Sequence, residues 1–210
     1  MIVKKKDFIE LDFTGKIKES GQIFDTTLKK DAEQLGMKSV SSLKLCVGEG
    51  MLVKGFDEAL EGKETGKSYS VELEPKKAFG LRDSKMIKTI PISIFLEKQV
   101  NPYPGQVLNM DGVIARISAI SGGRVITDFN MPLAGKTVIY EFKINKIIEN
   151  IDEKLKSLVE FFLGDKIESK VEGNKAIITG KKIENKAFRE KVKSLLGLDI
   201  EFSEPKEKKA

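Results

Sequence analysis

The sequence predicts an α+β fold: an antiparallel sheet wrapped on a short helix, a small inserted β domain, and an α-β-β-α-β domain at the C-terminal end. Three patterns predict it. Apolar and polar residues alternate in 8–13 and again in 137–148, as strands with one buried face require. Between them, after Gly80, short strand-like segments are separated by Asp111-Gly112 and Gly122-Gly123, both strong hairpin signals. From residue 150 onward the apolar spacing becomes helical. The 210 residues, 40% hydrophobic and 33% charged, suffice for one large domain or two small ones with a buried core.

Residues 8–13 and the β-favouring 68–73 are strands of the first sheet. Residues 16–22 read as a turn entering Ile23-Phe24, and 31–36 have the acidic start and glycine stop of a short helix in a bulge. A strand then ends in the glycine turns of Val47-Gly48-Glu49-Gly50, and a short amphipathic helix over 57–60 plugs the concave face. In the insert, 86–90 form a strand, 92–96 a helical turn after Pro91, and 101–105 (Asn-Pro-Tyr-Pro-Gly) a rigid loop. Strands 107–110, 113–120 and 124–128 follow, and 131–136 lead into the strand that returns to the first sheet. The expected domains are therefore 1–84 with 131–149, 85–130, and 150–203, with a charged tail at 204–210.

In the last domain, Leu155, Leu158, Val159 and Phe162 line one face of a helix over 152–163 that Gly164 closes. Segments 167–171 and 175–179 flank Glu172-Gly173-Asn174 as a hairpin. Asn185 caps a second helix carrying Phe188, Val192 and Leu195, and 200–202 form a last strand. A unit of about 60 residues is marginal alone. It is expected to pack on a neighbour, with a homodimer through this domain as one outcome.

Composition narrows the chemistry. The net charge of +5 is spread among interleaved acids and bases, so despite a pI near 9.0 no nucleic-acid footprint is expected. No stretch approaches membrane-spanning length, and no apolar core of a signal peptide follows Lys4-Lys5-Lys6, so no membrane partner is expected. The single Cys46 cannot form an internal disulfide, which favours a reducing, cytoplasmic setting. Without histidine the chain lacks the commonest metal ligand and neutral-pH base, and neither metal nor cofactor is expected.

Four motifs stand in order: Asp12-Phe13-Thr14-Gly15, Phe24-Asp25, the segment 47–62 followed by Gly66-Lys67, and Ala78-Phe79-Gly80. Taken singly, each aromatic residue here is core packing more often than a site. Together, by order and separation, they resemble the FKBP-type peptidyl-prolyl isomerases. That resemblance implies proline-containing polypeptides as substrates and a macrolide as a further ligand. It implies a pocket in which Asp25, Phe24, Phe79 and Tyr140 are catalytic. Phe13, Leu43, Leu52, Val53, Phe56 and Leu133 would bind substrate, with Phe56 as the floor and the Val53 N–H as a carbonyl donor. Many members have Tyr at the positions of Phe13 and Phe79, and often Trp at that of Phe56. The loss of a ligand-holding hydroxyl at Phe79 would cost about 0.5–1.5 kcal/mol of binding.

The insert, before Pro132-Leu133-Ala134-Gly135, resembles the insert-in-flap domain of the SlyD-like branch, which binds unfolded chains. Met131 stands where most such relatives have histidine. Ile87, Ile90, Ile94, Phe95, Tyr103 and Met110 are read either as a client surface or as the insert's own core. The tail lacks the His and Cys of the SlyD tail, so nickel binding is not implied. The last domain resembles, in layout and size, that of long archaeal members. The reading is an isomerase with a built-in chaperone domain. The alternative is a holdase with little isomerase turnover, because both tyrosine hydroxyls are missing.

Overall fold

In this computed structural model residues 1–164, 167–180 and 185–203 are described, and the tail expected at 204–210 lies outside them. Ile9, Leu11 and Phe13 of strand β1 (Phe8–Ile17) are buried, while Glu10 and Asp12 between them keep partial exposure. The strand runs past the expected turn at Lys16, because Lys16 and Ile17 pair with Ile139 and Val138 of a later strand. Strand β2 (Ile23–Thr26) lies along the second half of β1, with Gly15 opposite Asp25. Hydroxyls lock the junction: Thr14 Oγ1 is 2.7 Å from Asp31 Oδ2 and 2.9 Å from Thr26 Oγ1, and Phe13 N–H donates to Thr27 Oγ1 at 2.8 Å.

Helix α1 (Lys29–Ala32) continues into a 3₁₀ turn, Glu33–Leu35, that ends at the left-handed Gly36. Strand β3 (Leu43–Cys46) then pairs with the first half of β1, so two short strands share one edge and residues 27–42 bulge out between them. Helix α2 (Lys54–Leu60) begins ahead of the expected 57–60 and buries Phe56 and Leu60 completely. Strand β4 (Ser68–Leu73) completes this stretch.

Glu74–Thr137 form a second unit. It contains strand β5 (Ile87–Pro91), helix α3 (Ile92–Glu97), and strands β6 (Val107–Met110), β7 (Val113–Ser121) and β8 (Arg124–Asp128), in the sheet order β5-β8-β7-β6. β5 starts at Ile87 because Ser84–Met86 make a 3₁₀ turn, which the Asp83 carboxylate caps by accepting Lys85 N–H at 2.8 Å. Phe95, Ile117 and Val125 are its buried core, with Ile90, Val100, Leu108 and Met110 packed around them.

Strand β9 (Val138–Ile147) belongs to the first unit, Met1–Leu73 with Val138–Ala210, and gives its sheet the order β2-β1-β9-β4. The register of β9 on β1 slips once: Glu10 faces Lys146 but Leu11 faces Ile144. The skipped Asn145 donates from Nδ2 to Asp12 Oδ2 at 2.8 Å. Helix α4 (Ile151–Leu163), strands β10 (Glu168–Glu172) and β11 (Lys175–Thr179), helix α5 (Lys186–Leu196) and strand β12 (Asp199–Ser203) follow, with β12 parallel to β11. Leu155, Leu158 and Val159 of α4 and Phe188 and Val192 of α5 share one core with Phe8, Cys46 and Ile148. The neighbour that this small unit needs is thus within the same chain.

Candidate functional site

Alternation along two paired strands sets the site. Phe13 and Gly15 on β1 sit opposite Phe142 and Tyr140 on β9. Phe56 of α2 lies against Tyr140 with ring centroids 4.2 Å apart and planes 17° from parallel. Phe13 meets Phe56 edge-on at 5.7 Å and Tyr140 at 5.9 Å, and Phe24 of β2 meets Tyr140 edge-on at 5.7 Å. Phe142 adds a further edge contact to Phe56 at 5.2 Å. The three edge contacts set ring edges against ring faces, the favourable sense of the quadrupole, while Phe56 and Tyr140 are stacked and Phe13 and Tyr140 tilted.

Gly15 makes this cluster possible. A Cβ at that position would lie 2.6 Å from Phe24 Cζ and 3.1 Å from Tyr140 Cε1. The sequence motif contains Gly15 without giving it a role. Its signal is a missing side chain at an inward position between Phe13 and Ile17.

Burial grades the rings. Phe56 has no exposed surface, Phe13 and Tyr140 keep 5% each, and Phe24 is half-buried. The resemblance implies Phe56 as a floor under the proline ring, whereas here Tyr140 lies over Phe56. Asp25, opposite Gly15, keeps exposed surface, yet burial raises its carboxyl above the usual 3.8, against the opposing pull of a hydrogen bond from the Thr26 backbone. Burial first, and then the Asp25 charge, push the Tyr140 phenol well above its usual 10.0, so it stays neutral and keeps its O–H proton.

Val53 precedes α2, and its carbonyl accepts Phe56 N–H at 2.9 Å and Asp57 N–H at 3.0 Å. Among the described residues nothing accepts from the Val53 N–H itself. The loop before it is tied to α2, for Asp57 accepts Gly48 N–H at 2.8 Å and Gly50 N–H at 3.1 Å. Leu52 borders a hollow of about 360 Å³ with Gly48, Gly50 and Asp57. Leu43 borders another, of about 320 Å³, with Met51 and Phe161.

Phe79 and Leu133 belong to the second unit and are half-buried. Their chain segments are joined there by Gly135 N–H donating to Gly80 O at 2.8 Å. Of the residues read as client surface or core, Phe95 is core and Ile90 and Met110 pack against it, while Ile94 and Tyr103 are 42% and 61% exposed and Ile87 is intermediate. More of the exposed apolar surface comes from residues outside that set. Val107, Val113, Ile114, Met131 and Pro132 line a groove of about 710 Å³ in this unit.

The family model for the FKBP-type peptidyl-prolyl cis-trans isomerase matches residues 1–95, and one described as FKBP26, IF domain, matches 88–133. A short-type peptidyl-prolyl cis-trans isomerase of Methanocaldococcus jannaschii is 29% identical over 70% of this chain and 94% of its own. The FKBP-type isomerase SlyD of Helicobacter pylori is 25% identical over 65% and 70%, respectively. A probable FKBP-type 16 kDa isomerase of Pseudomonas fluorescens is 32% identical over 47% of this chain and 67% of its own. The two family models span the segments that carry Phe13, Phe24, Asp25, Phe56 and the insert. The chain belongs to the FKBP-type peptidyl-prolyl cis-trans isomerase family, and isomerisation of prolyl bonds is its activity.

Proposed function

We propose that prolyl isomerisation takes place against the ring cluster of the first unit, and that the inserted unit binds unfolded polypeptide. Turning a peptide bond faces a barrier of about 18–20 kcal/mol held up by amide resonance. The twisted amide is less charge-separated than the planar one, so water-poor apolar surroundings favour it. The observation that carries the reading is the packed set of Phe13, Phe24, Phe56 and Tyr140 with the Asp25 carboxylate at its rim. In this reading Phe24 and Tyr140 bear on the proline ring, and Phe13 and Phe56 hold Tyr140 from behind. The Val53 N–H donates to the peptide carbonyl, and Asp25 orients the carbonyl that swings. Leu43 and Leu52 flank the substrate, and Phe79 and Leu133 enter on the family resemblance alone.

Refolding of a protein limited by one prolyl bond tests it. Asp25→Ala and Phe24→Ala should each slow the accelerated phase several-fold while the variant keeps its native circular dichroism. Unchanged rates in both would reject the site. A macrolide ligand would appear as competitive inhibition of the same phase.

The chaperone reading is supported by apolar surface left open in the insert, where Val107 is 60% exposed, Val113 48% and Ile114 55%, and beside it at Met131, 64% exposed. Replacing Val113 and Ile114 by Ser should abolish suppression of client aggregation and leave isomerisation of a short prolyl peptide intact. Suppression that survives both changes would reject the groove. In this scheme 1–84 with 131–149 is the isomerase domain, 85–130 the chaperone domain and 150–203 a third domain, in a cytoplasmic protein. Homodimerisation through that third domain is tested by light scattering on the full chain.

A further inference from the structure

We propose that Lys191, on helix α5, is a positioning residue for the prolyl site and acts through Glu49 on the loop of residues 47–53. The proposal rests on the reading of Val53 as the carbonyl donor. Gly48 and Gly50 both adopt left-handed backbone, with φ of 79° and 72°, so the loop has few side chains of its own to fix it. It is fixed from two directions. From α2, Asp57 holds the Gly48 and Gly50 amides. From the C-terminal elements, the Lys191 ammonium pairs with the Glu49 carboxylate, whose side chain is only 12% exposed.

Met51 adds a second tie, for it packs against the core shared with α4 and α5, and its Sδ accepts Cys46 N–H at 3.3 Å. Helix α5 is a firm anchor. Phe188 and Val192, on either side of Lys191 in sequence, are fully buried, and Asn185 caps the helix by accepting Phe188 N–H at 3.0 Å. A carboxylate so far from water is stable where a cation meets it and unstable where none does. Without Lys191, Glu49 must turn outward, and the segment that presents Leu52 and the Val53 N–H moves with it. Small displacements of a binding group are costly to a reaction that depends on orientation. The C-terminal domain thereby becomes part of the apparatus that places substrate.

The test uses the full chain and a short prolyl peptide. Lys191→Met and Glu49→Gln should each lower kcat/KM about three- to tenfold, expressed in KM more than in kcat, as expected for a misplaced binding group. The reversed pair, Glu49→Lys with Lys191→Glu, should recover most of the loss. Lys193→Met, also on α5, removes a surface pair to Asp199 of β12 at 2.7 Å and should change nothing. If Lys191→Met does not fold, the double variant Glu49→Gln with Lys191→Met leaves no unpaired charge at this contact and carries the same expectation. Unchanged kinetics in both single variants, or a reversed pair no better than they are, overturns the proposal. If Asp25→Ala slows the reaction while both Lys191→Met and Glu49→Gln leave it unchanged, the proposal alone has failed. If Asp25→Ala leaves it unchanged as well, the prolyl-site reading has failed and takes the proposal with it.

Discussion

Gly15 contributes by having no side chain. In Gly15→Ala the new methyl must displace the Phe24 ring, an overpacking that costs about 1–3 kcal/mol. The melting temperature and kcat/KM should both fall, and Gly15→Ala with Phe24→Leu should regain stability but not activity. Recovery of both would mean that the Phe24 ring is dispensable. Asp25 should show the opposite balance of stability and activity. Its folded carboxyl titrates above 3.8, so its contribution to stability is present below that value and is lost as pH rises through the folded pKa. Asp25→Asn should therefore be slightly more stable than the parent at pH 7, with the difference vanishing in acid, while isomerisation slows. A thermal melt at the two pH values checks the sign. Alternation in the sequence identifies Phe13 and Tyr140 as inward-facing. That Tyr140 covers Phe56 was not legible, because it depends on the one-residue slip at Asn145, without which Tyr140 would pair with the outward-facing Lys16.

Strand β3 connects the two halves of the first unit. Leu45 and Cys46 are both fully buried, and Cys46 lies in the core shared with α4 and α5. Burial above all pushes the Cys46 thiol up to about 12, with Glu49, Asp57 and Asp7 adding to the rise and Lys191 opposing it. Cys46 should accordingly resist thiol reagents in the native protein at pH 8 and react at once in denaturant. Rapid labelling of the native chain would show that β3 and the C-terminal helices do not share a closed core. The helices themselves were legible from their apolar spacing, and Asn185 caps α5 as its position suggests; Asn150, not read as a cap in the sequence, caps α4 by accepting Glu153 N–H at 3.0 Å. Their partner was not, since an apolar stripe states that a face must be covered and not by what. The parallel pairing of β12 with β11 was equally hidden, because it is made by α5 crossing between them.

At the scale of the molecule, the short hairpin-separated segments after residue 80 mark a change of pattern in the sequence, and the structure has a second unit over Glu74–Thr137, wider than the 85–130 expected for the insert. The end of the isomerase portion is a different case. A cut after residue 149 would strip the cover from Phe8, Cys46 and Ile148, which are 3%, 0% and 2% exposed in the full chain. Each large apolar side chain returned to water costs about 1.5–3 kcal/mol, and loss of Lys191 would leave Glu49 without its cation. The sum is several kcal/mol against a typical net stability of about 5–15 kcal/mol. The fragment 1–149 should melt far below the full chain and expose apolar surface that drives association. Its remaining activity at low temperature should show the same KM defect as Lys191→Met. Differential scanning calorimetry with light scattering decides. A fragment that melts with the full chain and stays monomeric would mean that the C-terminal elements form a separate body with a core of their own.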